Sequence, residues 1–172
     1  MKYFKYKSGK SITQQIDNWR SQLKDLSAMN KEIGIMGLYQ NHAGKDTFGA
    51  PIWDLHRALD GIDSTEIGVA YDIRHATAEG GMSWPLGFRL ILPHIQTVYV
   101  KDFIWDDDEV KPKNVPLGQG RIDKKFFRML ADANFSGPIS LHEEYLDHRK
   151  PELVPQHWDA IAEDLKTLKS WL

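Results

Sequence analysis

Cysteine is absent from all 172 residues, which excludes disulfide staples, thiolate metal ligands and a thiol nucleophile. Long apolar runs are lacking too: no stretch approaches the ~18 residues that a membrane-spanning helix needs. The first residues, Met1-Lys2-Tyr3-Phe4-Lys5-Tyr6-Lys7, are basic, but no apolar core region follows them, so they do not read as a secretory signal. Nor does one sign of charge dominate. With 22 Lys and Arg against 24 Asp and Glu, the net charge is −2, which provides no broad basic surface for a polyanion. Neither nucleic acid nor a membrane is an expected partner, and a soluble, cytoplasmic protein is the expectation. The phosphate-binding P-loop, the Gly-x-Ser-x-Gly elbow and the His-Glu-x-x-His helix are likewise missing.

What is present is a globular composition, 41% hydrophobic and 27% charged, in a chain long enough for one cored domain over residues 1–172. Its most informative pattern is a polar group at the end of each short apolar run. Ile35-Met36-Gly37-Leu38-Tyr39 leads into Gln40-Asn41-His42, and Ile67-Gly68-Val69-Ala70-Tyr71 into Asp72-Ile73-Arg74-His75. Thr97-Val98-Tyr99-Val100 leads into Lys101-Asp102, and Pro138-Ile139-Ser140-Leu141 into His142-Glu143-Glu144. Short apolar runs read as buried parallel strands, and α/β folds keep their active sites at the C-terminal ends of such strands. Four such junctions in succession point to a shared pocket.

Helical patterns separate these runs. Ser11 is placed to cap a long helix whose apolar face reads Ile12, Ile16, Trp19, Leu23 and Leu26, with Gly34 ending it. Further helices are expected from about Pro51, near residues 85–94, over 122–133 with Ile122, Phe126 and Leu130 inward, and at the C-terminus with Trp158, Ile161, Leu165, Leu168 and Leu172 on one face. Residues 2–6 read as a short aromatic strand, and 103–121 as a long irregular segment, longer than compact domains commonly carry without a functional reason. Strand-to-strand spacing in the middle of the chain is that of βα units, and right-handed crossovers then place the strands in one parallel sheet. The expected fold is α/β, with about five parallel βα units.

The junctions Tyr39-Gln40-Asn41-His42-Ala43-Gly44, Tyr71-Asp72-Ile73-Arg74-His75, Val100-Lys101-Asp102-Phe103, Pro116-Leu117-Gly118-Gln119-Gly120-Arg121-Ile122-Asp123 and Gly137-Pro138-Ile139-Ser140-Leu141-His142-Glu143-Glu144 resemble the sugar phosphate isomerase/epimerase superfamily, the xylose-isomerase-like TIM barrels. In order and spacing they match strands five to eight of that barrel, with residues 2–6 as strand four. The resemblance implies a partial (β/α)8 TIM barrel, because a full one takes about 250 residues. It also implies that the two open sheet edges, near residues 2–6 and 139–142, are covered by a partner chain or by a homo-oligomer.

For activity, the resemblance implies an isomerase or epimerase acting on a carbohydrate or polyol by metal-assisted proton transfer through an enediolate. Relatives hold a divalent cation (Mn, Zn or Mg) with a carboxylate on strand five, an Asp on strand six, a His on strand seven and a Glu on strand eight. The corresponding positions here are Gln40, Asp72, Tyr99 and His142, so three of the four are altered and Asp72, His142 and Gln40 remain as the candidate metal set. Two other readings stay open: a catalytically inactive barrel fragment that binds carbohydrate or a partner chain, and a metal-assisted carbohydrate lyase or hydrolase.

Each candidate also has a plainer structural reading. Asp72 and His75 form an Asp-x-x-His pair that would hold a metal and orient a substrate hydroxyl, or else a loop pair tied to Arg74. His42 would contact substrate or serve as a hydrogen-bonded structural histidine. His142 and Glu144 share a strand face, with Glu143 opposite, and could hold a metal or exchange a proton near neutral pH. Lys101 would stabilise an enediolate oxyanion, with Glu144 as the carboxylate base, or would simply pair with Asp102. Trp105, like Trp53 and Trp84, would stack on a sugar ring or fill core. The glycines of Leu117-Gly118-Gln119-Gly120 would let the backbone approach substrate, and Asp106-Asp107-Asp108-Glu109 reads as a solvated charge run rather than a calcium loop.

Overall fold

The computed structural model describes residues 3–106 and 111–172. In chain order the elements are α1 (Ile12–Ile33), β1 (Gly37–Gln40), α2 (Trp53–Leu59), β2 (Ile67–Asp72), α3 (Ile73–Gly80), α4 (Trp84–Ile91), β3 (Ile95–Val100), β4 (Asp102–Trp105), β5 (Pro112–Val115), α5 (Lys125–Asp132), β6 (Ile139–Leu141) and α6 (Val154–Trp171). Strand and helix alternate as in a partial TIM barrel, the α/β architecture expected. The chain forms two compact units, Met1–Val98 and Tyr99–Leu172.

In the first unit the strand order is β1-β2-β3, and β1 pairs with β2 in parallel, from Gly37 opposite Ile67 to Gln40 opposite Ala70. Every residue of β2 is buried, as a central parallel strand covered on both faces requires. Its core includes Leu55, Leu59, Ile67, Val69, Ile73, Phe88 and Ile91, and Phe4, Tyr6, Trp19 and Phe48 form an aromatic cluster. Ser11 caps α1 by accepting from the Gln14 N–H, and Gly34 closes it at φ 68°, a left-handed conformation that glycine adopts without steric cost. The buried stripe of α1 runs Ile16, Trp19, Leu23, Ser27, Asn30, while Ile12 and Leu26 are exposed. The stripe turns polar where the loop before β2 needs partners: Ser27 bonds the Glu66 carboxylate, and Asn30 Nδ2 donates to the Glu66 carbonyl at 2.9 Å.

In the second unit the end of β3 has β6 beside it, and the His142 N–H carries the pairing on to the Val100 carbonyl at 2.9 Å. Phe103, Leu117, Ile122, Phe126, Phe127, Leu130 and Leu168 are buried.

Four expectations are corrected. Residues 3–6 make no strand of the sheet: Lys5 forms an isolated antiparallel bridge with Thr47, and Lys2 lies outside the described residues. Among the described residues the strands of this sheet are β1, β2, β3 and β6. Residues 73–80 are helical although they lack a clear apolar period, because Asp72 caps them by accepting from the His75 N–H. Within 103–121, β4 and β5 pair antiparallel, with Asp102 opposite Val115. The Asp106 N–H donates to the Lys111 carbonyl at 3.0 Å and the Lys111 N–H to the Asp106 carboxylate at 3.1 Å, and Asp107-Asp108-Glu109 lie outside the described residues.

Finally, α6 turns a different face inward. Leu168 and Asp164 are buried, whereas Trp158, Ile161, Leu165 and Leu172 are exposed. Asp164 accepts from the Leu117 N–H at 2.9 Å, which fixes the rotation of the helix. Among the described residues, no helix is long and apolar enough to cross a membrane.

Candidate functional site

Each unit gathers a polar cluster at its strand ends. In the first, Asp72 at the end of β2 has no solvent exposure. Its Oδ1 accepts from the His75 N–H at 3.1 Å, and its Oδ2 accepts from Gln40 Nε2 at 3.1 Å. Gln40 Oε1 accepts in turn from the Tyr3 hydroxyl at 2.9 Å. The opposite amide orientation would set the Gln40 oxygen against a carboxylate oxygen, so the network fixes the assignment. Asn41, fully buried, extends the β1–β2 pairing: its Oδ1 accepts from the Asp72 N–H at 2.7 Å and its Nδ2 donates to the Asp72 carbonyl at 3.0 Å.

The two histidines follow from their partners. Arg74 Nη1 lies 3.0 Å from His75 Nδ1, and a guanidinium can only donate, so Nδ1 accepts and the ring proton sits on Nε2. That Nε2–H is 3.5 Å from Asp72 Oδ2. His42 Nδ1 lies 2.8 Å from the Ala43 carbonyl and must donate to it, leaving Nε2 with the lone pair. The His42 ring sits 4.0 Å from that of His75 and 4.7 Å from that of Tyr3, centre to centre. Asp72, Gln40, His42 and His75 are thus brought together, and Arg74 is part of the same network.

In the second unit Lys101, at the end of β3, is nearly buried, and its Nζ donates to both Glu144 oxygens at 2.9 and 3.0 Å. His142 Nδ1 stands 3.5 Å from Glu144 Oε1, Asn114 Nδ2 of β5 is 3.4 Å from Oε2, and the Tyr99 ring lies 4.5 Å from that of His142. The bond from His142, then Lys101, hold the Glu144 carboxyl down at about 2 against the burial that opposes them. Glu143 points elsewhere: it accepts from the Tyr145 and Leu146 N–H groups and contacts His157 of α6, so it anchors the loop after β6. Trp105 ends β4 with its ring edge-on to Phe103. Trp84 is buried, and Trp53 is half exposed.

Lys101 pairs with Glu144 and Asp102 does other work. The buried Asp102 carboxylate accepts from the backbone N–H groups of Phe103, Gly118, Gly120 and Ile122 at 2.8–3.0 Å. The glycine loop is wrapped on this carboxylate. A Cβ at Gly120 would fall 2.3 Å from Asp102 Oδ1, so the close backbone approach serves Asp102. Sequence reasoning also missed Tyr3, Asn41 and Asn114. Asn41 had a signal, an amide directly after a strand, while Tyr3 and Asn114 come from segments whose structure was misread.

The donors present do not fit a divalent cation. Such an ion needs several anionic or lone-pair ligands. Asp72 Oδ2 is instead met by an amide N–H, with His75 Nε2 3.5 Å away, and Glu144 by an ammonium. Among the described residues no three His, Asp or Glu side chains are grouped to hold a metal.

A search of curated proteins gives no match. Among solved structures, the chain resembles a D-tagatose 3-epimerase-like protein (TM-score 0.75, 20% identity, 98% of this chain and 58% of that one). It also resembles a xylose isomerase domain protein from Planctomyces limnophilus (TM-score 0.72, 15% identity, 98% and 56%). A third is a xylose isomerase-like TIM barrel protein from Mycobacterium smegmatis in complex with magnesium (TM-score 0.60, 15% identity, 83% and 48%). The chain thus spans less than three fifths of these relatives, and at such identities the likeness is one of fold. The sequence matches the xylose isomerase-like TIM barrel family over residues 3–171, and the chain belongs to that family.

Proposed function

We propose that this chain is an isomerase- or epimerase-like protein that moves a proton between adjacent carbons of a carbohydrate or polyol through an enediolate. The observation that carries this reading is the nearly buried Lys101 ammonium, fixed by Glu144 at the end of β3. A fixed positive charge in a low-dielectric setting lowers the energy of an oxyanion that develops beside it. Within the first unit, taken by itself, His42 offers an imidazole lone pair and His75 a position beside Asp72, groups that hydrogen-bond hydroxyls. Trp105 supplies a ring face for stacking, and His142 an imidazole able to exchange a proton. Glu144 positions Lys101; as a base it is weakened by the two groups that hold it ionised.

Isotope exchange tests this. Incubated with a panel of keto sugars in D2O, the protein should introduce deuterium at the carbon next to the carbonyl, read by proton NMR, and Lys101→Met should lower the rate about 100-fold or more. Saturable sugar binding without exchange would instead establish a binding protein that does no chemistry. That second reading is favoured by the low basicity of Glu144.

A further inference from the structure

The carboxylates of a family cation site carry negative charge that the cation normally neutralises. Here each of the two candidates is already engaged within its own unit, Glu144 by an ammonium and Asp72 by neutral hydrogen-bond donors. We infer that this chain has replaced the divalent cation with its own side chains, the Lys101 ammonium at Glu144 and the Gln40 amide with the His75 imidazole at Asp72, and works without a metal.

Asp72 is wholly buried, and a buried carboxylate requires compensation. Gln40 provides part of it as a hydrogen-bond donor rather than as a metal ligand. Its oxygen, the one atom that could ligate, accepts from Tyr3, and its N–H takes one lone pair of Asp72 Oδ2. His75 is turned the same way. Arg74 donates to Nδ1, so Nε2, 3.5 Å from Asp72 Oδ2, carries a hydrogen where a ligand would present a lone pair.

In the second unit the Lys101 Nζ spans both oxygens of Glu144, which leaves no bidentate edge for a metal. A divalent ion on that carboxylate would lie only a few Å from a like charge. Gln40 and Lys101 therefore act in one direction: the first removes a negative ligand, the second adds a positive charge. This inference does not depend on turnover, so its failure and a failure of the isotope-exchange experiment are separate results.

The test uses the intact protein, equilibrated with Mn2+ or Zn2+, passed through a desalting column and assayed for metal per chain. Wild type should retain only trace metal, its melting temperature should not respond to EDTA or Mn2+, and Lys101→Met, which frees Glu144, should bind Mn2+ at least about tenfold more tightly. Nitrogen-15 NMR should show His75 protonated on Nε2 and bare on Nδ1, with that preference weakened in Arg74→Met. One metal ion per wild-type chain, lost in Asp72→Ala, would overturn the inference. So would a His75 proton found on Nδ1.

Discussion

At the residue scale, Glu144 gives the clearest pH signature. Its folded value of about 2 lies below the ordinary 4.5, so the native state favours the ionised form. The stabilisation is complete above about pH 4.5 and is lost as pH falls toward 2. Carbon-13 titration of the side-chain carboxyl should find its midpoint near 2 and move it upward in Lys101→Met; a midpoint near 4.5 in wild type would contradict the pairing. Asp54 behaves oppositely. Burial raises its carboxyl despite bonds from Tyr6, Gly49 and Leu55, so it disfavours the folded state as it ionises at higher pH.

Asp102 is a structural centre with a sharp test. Gly120→Ala sets a methyl against its carboxylate and should cost about 2–4 kcal/mol in urea unfolding, in the upper range of overpacking and strain effects. Asp102→Asn keeps the shape but weakens four charge-assisted bonds and should cost about 2 kcal/mol or more. Neutral behaviour in both variants would mean that the loop holds itself.

At the element scale, α1 and α6 separate apolar periodicity from burial. Both carry apolar residues at intervals of three and four, and in both only part of that pattern faces the core. Leu168→Ala should therefore destabilise by about 2–5 kcal/mol, while Trp158→Gln should change stability by no more than about 0.5 kcal/mol. Equal effects would show that Trp158 is packed in solution. Ser11→Ala, which removes the α1 cap, should cost about 1 kcal/mol.

At the scale of the whole molecule, the first unit exposes Leu26, Met29 and Ile33 on α1 together with Ile35, Met36 and Leu38 at β1, a strand with a neighbour on one side among the described residues. Exposed apolar residues beside an unpaired strand edge favour association. Light scattering should find species larger than 19.8 kDa at micromolar concentration, and Ile33→Glu with Met36→Glu should reduce them. A monodisperse monomer that binds no hydrophobic dye would count against this.

The sequence by itself determined the α/β class, the places of β1, β2, β3 and β6, and the polar residues at their ends, because a buried parallel strand leaves an apolar run with an abrupt finish. Gln40, Asp72, His75, Lys101, His142 and Glu144 were all legible in this way. Partner choice was not. That Lys101 meets Glu144, 43 residues away, and not the adjacent Asp102, depends on where β6 and the glycine loop deliver their donors and acceptors. The pairing of β4 with β5 was hidden because their charged sequence has no alternating apolar signal. The tautomer of His75 and the orientation of the Gln40 amide were decided only by tertiary structure, since each is set by the hydrogen bonds its neighbours can make.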